Sequence, residues 1–395
     1  MLARVIFALL LAAHGYAANC EPLSPGPPSL SVSGNRLLDG HGKLLQLRGV
    51  NVSGLEFVPV QGWSPRNPWG GQTGDPTPNW GTLRSWRVNT VRIPLNEASW
   101  LGYPCSDFSG TRRDPDPGHN YRGTVQAAVR QATAAGLYVI LDLHWSAPGS
   151  FCPLGQNPMA DADHSLSFWS SVADTFRKDP NVLFELFNEP FFHWMSPGSE
   201  AWAVLRNGGT FTQYVTGNDR QYAAAYTWRS VGMQQMLDAI RGTGATNVVL
   251  AGAPSWSQDL SEWPANKPVD RINQLAAVWH AYPDSDVVGS VKASLPKLGT
   301  NAYTWAANVL SAGVPLVITE VGDHNSPGTT GAPFVSIVLP WADDHGASYI
   351  GWTWDVWQNH DNVLIKDNTG TPTDGYGIYF RQHLLCLAER SHDCR

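Results

Sequence analysis

The chain has 395 residues, 43% of them apolar and only 15% charged, with a formal net charge of −7. That balance can fill a large core and excludes extended disorder, and the mild acidity argues against a nucleic-acid binder, whose electrostatic footprint is basic. The 18 tryptophans exceed what a core needs; flat aromatic faces suit sugar rings as well as packing.

Residues 1–18 read as a signal peptide. Arg4 supplies a positive start, residues 5–13 are apolar, and Gly15-Tyr16-Ala17-Ala18 offers a small-residue cleavage site. That run is too short to span a bilayer, and no other stretch approaches about 18 apolar residues. The expectation is one exported domain over residues 19–395. It should be extracellular or periplasmic and monomeric, with no membrane or nucleic-acid partner. Asn19 precedes Cys20 where a lipoprotein signal would carry a small residue.

Residues 30–38, with Asp39-Gly40, read as a hairpin that could close the bottom of a barrel. Eight short apolar runs then read as buried strands: 44–51, 88–94, 137–144, 182–189, 247–252, 275–282, 316–320 and 348–352. They lack polar alternation, as parallel strands covered on both faces do. Helical patterns lie between them at 124–135, 166–178, 222–241, 303–311 and 334–344. Ala135-Gly136 and Ala312-Gly313 mark helix ends followed by strands. The string predicts an α/β fold, a (β/α)8 TIM barrel, with a doubly wound sheet as the alternative. Long Pro- and Gly-rich loops at 59–80, with Trp63, Trp69 and Trp80, and at 101–120 follow strand ends, where barrel enzymes build their sites.

Five cysteines leave at least one thiol free or paired outside the chain. Cys105 and Cys152 follow successive strands and form the first expected disulfide; Cys386 with Cys394 is the second. None has zinc-knuckle spacing. Asn51-Val52-Ser53 is a glycosylation sequon, but it ends a strand beside the expected site. A glycan there would be buried, so it should be unused.

Polar residues cluster at the C-terminal ends of the apolar strands. Val91-Arg92-Ile93-Pro94, Asp142-Leu143-His144-Trp145, Phe187-Asn188-Glu189-Pro190, Trp279-His280-Ala281-Tyr282, Ile318-Thr319-Glu320 and Gly351-Trp352 all end this way. Burying that many ionisable groups is costly unless they serve each other or a ligand. Two glutamates in a Trp-rich cleft suit glycosidic bond cleavage: one acid protonates the leaving oxygen and a second carboxylate attacks carbon or activates water.

This ordered set resembles glycoside hydrolase family 5, in the large clan of retaining barrel enzymes. Further matches are Arg48-Gly49-Val50-Asn51, Leu141-Asp142-Leu143-His144, Gly351-Trp352-Thr353-Trp354 and Gly370-Thr371-Pro372-Thr373 with Tyr376-Gly377. The resemblance implies a secreted endo-acting β-1,4-glucanase, with Glu189 as acid/base and Glu320 as nucleophile. It further implies that Asn188 binds the 2-hydroxyl, Tyr282 holds the nucleophile and Arg92 keeps it ionised. A drier setting beside His280 would leave Glu189 protonated. His144 would contact sugar hydroxyls, and Trp352 would lie under the ring.

The alternatives are a mannanase or another β-glycosidase of the family, and an inactive carbohydrate-binding barrel. Individual residues have structural readings too: Arg92 as a partner for buried carboxylates, His144 as a core histidine, and Trp354 in place of Trp352. Asp142 and Glu185 are expected to be buried, paired charges. Asp161-Ala162-Asp163-His164 reads as a helix start rather than a metal loop. With no G-x-S-x-G, P-loop or dinucleotide fingerprint, neither metal nor cofactor is expected.

Overall fold

In the computed structural model, which describes residues 26–62, 69, 78–192, 199–213, 226–283, 300–356 and 362–389, the apolar runs form a closed eight-stranded barrel. Its strands are β1 (Arg48–Asn51), β2 (Thr90–Asn96), β3 (Tyr138–Trp145), β4 (Val182–Glu185), β5 (Val249–Ala251), β6 (Leu275–Ala281), β7 (Leu316–Val321) and β8 (Ser348–Gly351). Each pairs in parallel with its neighbour in sequence, and β8 closes on β1. Helices cover the outside, among them Tyr121–Ala134, Ser165–Phe176, Met233–Gly242, Thr300–Ser311, Val335–His345 and Tyr376–Ala388. This is a (β/α)8 barrel; the doubly wound alternative falls because the sheet closes.

Burial on both faces explains the missing alternation. Every residue of β2, β4, β5, β6, β7 and β8 is buried. Trp279 points outward from β6 onto Tyr303 and Trp341, at centroid distances of 5.9 and 6.0 Å, while its neighbour His280 turns inward. Gly49 is needed where β1 meets β2, because a Cβ there would lie 2.2 Å from the Thr90 carbonyl oxygen. Gly136 and Gly313 take positive φ, 81° and 77°, at the predicted helix ends.

The expected hairpin pairs Leu30–Ser33 with Arg36–Asp39 and adds a third short strand, Leu44–Leu45. Leu30 and Leu37 pack on Leu47, Ile140, Leu183, Leu250, Val278 and Val317, closing the N-terminal mouth of the barrel. The predicted strand 44–51 is therefore two strands, one antiparallel in the plug and one in the barrel. A second correction concerns 222–241. Its helix begins only at Met233, and Tyr226–Arg229 pairs antiparallel with Thr210–Gln213. Trp228 is buried on Phe211 there while Tyr226, Thr227 and Arg229 are exposed; the aromatic–polar alternation Tyr-Thr-Trp-Arg, a period of two in residue type, is what the helical reading overlooked.

Cys105 and Cys152 are bonded, with Cα atoms 4.9 Å apart. Cys386 is also disulfide-bonded, to a partner outside the described residues. Residues 1–18, Cys20, Trp63 and Cys394 likewise lie outside them. Among the described residues no helix is long and apolar enough to cross a membrane.

Candidate active site

Arg92 lies mid-strand in β2 and is wholly buried. Its guanidinium donates from Nε and Nη2 to Glu185 at 2.7 and 3.0 Å, and from Nη1 to Glu320 Oε1 at 2.9 Å. It also reaches Asn51 Oδ1 at 2.9 Å, Asn188 Oδ1 at 2.8 Å and Asp142 at 3.0 Å. A buried cation of this kind is tolerable only with its donors satisfied. Burial opposes its charge, but Asp142, Glu185 and Glu320 more than restore it, raising its pKa well above the ordinary value. Arg92 thus satisfies the buried Asp142 and Glu185 and also contacts Glu320, whose pKa is nonetheless raised.

A register shift in the β6–β7 pairing sets His280 level with Glu320. His280 Nδ1 lies 2.8 Å from Glu189 Oε1 and 3.6 Å from Glu320 Oε2, and its Nε2 lies 3.0 Å from Thr319 Oγ1. Thr319 gives its one hydroxyl proton to Glu185, at 2.9 Å. Its oxygen must therefore accept from His280 Nε2–H. That leaves Nδ1, facing Glu189, as the titrating nitrogen. The Tyr282 hydroxyl donates to Glu320 Oε2 at 2.7 Å. Burial and the Glu320 charge push that phenol well up, so it stays a donor.

The two glutamates, 131 residues apart in the chain, meet: an oxygen of Glu189 and an oxygen of Glu320 lie within 4.8 Å of each other. Beyond β4 the backbone keeps following its neighbours, with Leu186 N bonded to Leu250 O and Asn188 N to Leu143 O. The chain is thus still extended where it delivers Asn188 and Glu189. A left-handed turn locks this segment from β5. Ser255, Trp256 and Ser257 have φ of 56°, 57° and 58°. Trp256 N bonds Pro190 O, and Ser257 Oγ bonds Asn188 O. Three successive non-glycine residues at positive φ store strain, and such strain gathers at functional sites.

The protonation directions reverse the expectation. Burial favours the neutral acid at Glu189, but the His280 hydrogen bond and charge and the Gln156 amide outweigh it and lower its pKa. Glu320 is raised: burial and the Glu189 charge exceed the pull of His280 and Arg92. Despite burial, the surrounding carboxylates Glu320, Glu185 and Glu189 lift His280 to about 10. Proximity of His280 to Glu189, which sequence cannot measure, decides the order. Glu185 falls to about 2 against its burial, through Arg92 and the His280 side. Burial pushes Asp142 well up, and Arg92 does not fully offset it. As expected, both are sealed off and paired.

Above this layer opens a cleft of about 410 Å³, lined by His144, Gln156, Asn188, Glu189, Gln258, Tyr282, Glu320, His324, Trp352 and Asn362 among others. All eight predicted site residues thus come together: six line the cleft, and Arg92 and His280 lie directly beneath it. His144 Nδ1 is held by Asp142 at 2.6 Å, and burial keeps the ring's pKa below its usual value. Trp352 lies parallel to the His144 ring, 5.6 Å away and 5° from coplanar. Trp354 instead packs edge-on against Trp86 in the core, so Trp352 is the cleft's aromatic face.

Sequence reasoning missed Gln156, Thr319 and the turn at 255–257. Gln156 sits in a loop without a motif, and its Nε2 reaches both Glu189 Oε2 (2.8 Å) and Glu189 O (3.1 Å). The sequon asparagine, Asn51, is fully buried. Its Nδ2 donates to the Thr319, Ile350 and Gly351 carbonyls, which leaves no room for a glycan. Asp161 lies in the turn that leads into the helix Ser165–Phe176, accepting from the Asp163 and His164 amides. It also meets Glu97, which the sequence did not suggest. Ligand atoms of Glu97, Asp161 and His164 lie within 4.8 Å of one another. Glu97 is already engaged by Ala147 N and Ser165 Oγ, and burial with the Asp161 charge raises it well above its usual range.

A family model described as Cellulase (glycosyl hydrolase family 5) matches residues 38–358. The chain is 24% identical over 378 residues to an endoglucanase from Clostridium saccharobutylicum, covering 93% of this chain and 65% of that protein. It is 23% identical over 363 residues to a mannan endo-1,4-beta-mannosidase from Streptomyces lividans, covering 89% and 72%. A solved beta-glucanase from Saccharophagus degradans in complex with cellotetraose shares the fold, with a TM-score of 0.59 at 24% identity over 91% of this chain and 93% of that one. The chain spans between half and two thirds of the length of the first curated relatives it matches.

Proposed function

The chain belongs to glycosyl hydrolase family 5, and from that premise we propose that it is an exported, retaining endo-β-1,4-glucanase. The observation that carries the reading is the meeting of Glu189 and Glu320 within 4.8 Å at the floor of an aromatic-sided cleft. Carboxyl oxygens within 4.8 Å of each other suit the short separation of retaining enzymes, roughly 5–5.5 Å, better than the roughly 6.5–9.5 Å with which inversion admits a water.

In the first step Glu320 attacks the anomeric carbon while Glu189 gives its proton to the glycosidic oxygen. The chain on the leaving side departs, and a glycosyl ester remains on Glu320. In the second step the Glu189 carboxylate takes a proton from water as that water attacks the same carbon and frees Glu320. Arg92 and Tyr282 fix the nucleophile by one oxygen each. Asn188, its Oδ1 held by Arg92, offers its amide hydrogens to the 2-hydroxyl. His144 contacts hydroxyls through Nε2, and Trp352 stacks under the ring.

The first step needs a proton on Glu189, and the free site stores it on His280 Nδ1, one 2.8 Å hydrogen bond away. A sugar that displaces water from the cleft penalises the His280–Glu189 ion pair against its neutral form and favours transfer to the acid.

A glucan is the first choice because endoglucanases head the relatives; a β-1,4-mannan is the second reading, favoured by the mannosidase match. Export rests on residues 1–18, and the enzyme is taken to work as a monomer. The test is hydrolysis of barley-type glucan, carboxymethyl cellulose and glucomannan in parallel, with the first-formed product read by proton NMR. The β anomer should appear first. An α anomer would remove the nucleophile role of Glu320, and no product from any of the three would remove the enzyme reading.

A further inference from the structure

We propose that Gln156 is a positioning residue for the acid/base: its amide clamps Glu189 and sets the pH above which the enzyme runs out of acid. The inference rests on the family reading of Glu189 as acid/base and goes beyond it, to a side chain outside the strand-end motifs.

The geometry is a chelate. One amide nitrogen with two hydrogens reaches the Glu189 carboxylate at 2.8 Å and the Glu189 backbone oxygen at 3.1 Å. Both ends of a single residue are thereby tied to one group, which removes side-chain rotation at the position where proton transfer needs alignment. An N–H donor has no acceptor function, so the Nε2 contact binds the carboxylate better than the carboxylic acid. It favours release of the proton in the first step and weakens recapture in the second.

The loop that carries Gln156 is built to hold it there. On one side Cys152 is bonded to Cys105, its amide donates to Ser106 O at 2.9 Å, and Pro153 O accepts from Asn96 at 3.0 Å. On the other side Pro158 O accepts from Phe191 N at 3.0 Å, two residues past the acid/base. The clamp is therefore held from both the β2 and the β4 ends. The disulfide sits four residues from it.

Among the described residues, the titratable and charged groups around Glu189 are His280 and Tyr282 from β6 and its extension, Glu320 from β7, His144 from β3, and His324 beyond β7, which lines the same cleft. Arg92, Asp142 and Glu185 lie beneath. Gln156 is uncharged, so replacing it with Met removes a donor from the acid and leaves all of these charges in place. Gln156 is among the groups that lower Glu189.

The experiment is the pH profile of kcat/KM on a soluble neutral β-glucan for the full chain, Gln156→Met (similar volume, no donor) and Gln156→Glu. The alkaline limb reports loss of the one proton that the His280–Glu189 pair holds. Without the donor it should move up by about one pH unit, and further still in Gln156→Glu, where a third carboxylate joins the pair. If Gln156→Met is too slow to assay, titration of the Glu189 carboxyl carbon by NMR, assigned through its loss in Glu189→Gln, must move up from its position in the parent chain. An alkaline limb and a carboxyl titration unmoved in both variants, whatever happens to the rate, overturn the inference and leave Gln156 a packing residue. An inactive parent chain would instead sink the enzyme reading itself, a different failure that takes the clamp with it.

Discussion

Replacing Arg92 with Met keeps the volume of the side chain and removes the charge at the centre of the barrel. The structure sets the size of the effect in two ways. Arg92→Met leaves Glu185, Glu320 and Asp142 without their shared cation and Asn51 and Asn188 without a donor. Breaking a buried pair from one side costs roughly 3–5 kcal/mol. Linkage gives a second figure. Arg92 is the leading reason that Glu185 sits near 2 rather than at its ordinary 4.5, and that displacement corresponds to roughly 3 kcal/mol. Since the folded value is the lower one, this stability is full above about pH 4.5 and drains away as pH falls toward 2. Denaturant unfolding of wild type and variant at pH 7 should differ by about 3–5 kcal/mol, and the gap should shrink by about 2 kcal/mol at pH 3. Asp142 adds less to this difference, because burial holds its carboxyl well up even beside Arg92. A gap below about 1 kcal/mol, or one equal at both pH values, would refute the view that Glu185 depends on Arg92 for its charge.

Glu320→Gln should leave the melting temperature within a degree or two and hydrolysis down by several orders of magnitude, with substrate still bound; a carbohydrate-binding barrel would have no activity to lose. Glu189→Ala should cut polysaccharide hydrolysis by roughly 100- to 10,000-fold. The formation of the glycosyl ester from a dinitrophenyl glycoside, whose leaving group needs no proton, should fall far less. Equal losses on both substrates would deny Glu189 the acid role. Cys152→Ser opens a loop of 47 residues, and the chain-entropy relation gives a loss of about 4 kcal/mol, read as a lower denaturation midpoint under non-reducing conditions.

The barrel was legible because its signal is coarse. Strands buried on both faces are apolar at most positions, and a barrel of eight needs eight such runs. The site was legible for a related reason: polar groups inside or at the ends of buried runs are costly, so their recurrence at Arg92, mid-strand, and at His144, Glu189, His280 and Glu320, near strand ends, stood out against the apolar background. Boundaries fared worse. Nothing in residues 44–51 marks where the plug ends and β1 begins, since both pieces are extended. The period of two in Tyr226–Arg229 is too short to override the helical pattern that follows it. Contacts made by loops were invisible. Gln156 reaches Glu189, and Glu97 reaches Asp161, only because folding brings segments 33 and 64 residues apart into register.

The reversed protonation order follows from a construction used twice in the site, with opposite results. Each of two histidines is backed by a buried carboxylate that engages one ring nitrogen and leaves the other toward the cleft: Asp142 behind His144 directly, Glu185 behind His280 through the Thr319 hydroxyl. His144 has Arg92 nearby and only one carboxylate in contact, so burial prevails and the ring is held toward its neutral form. His280 faces three carboxylates, at 2.8, 3.6 and 3.7 Å, and they prevail over burial. Glu56, Glu320 and Glu189 also raise His144 but do not outweigh its burial and Arg92, whereas the three carboxylates close beside His280 do. The two acids dismissed as structural from sequence therefore act at a distance on the chemistry. Asp142 fixes which nitrogen of His144 meets the cleft, and Glu185 ensures that the titrating nitrogen of His280 is the one beside Glu189. A site assembled this way can keep one proton poised on the histidine until the cleft is filled, and can leave Glu320 gripped by Arg92 and Tyr282 throughout.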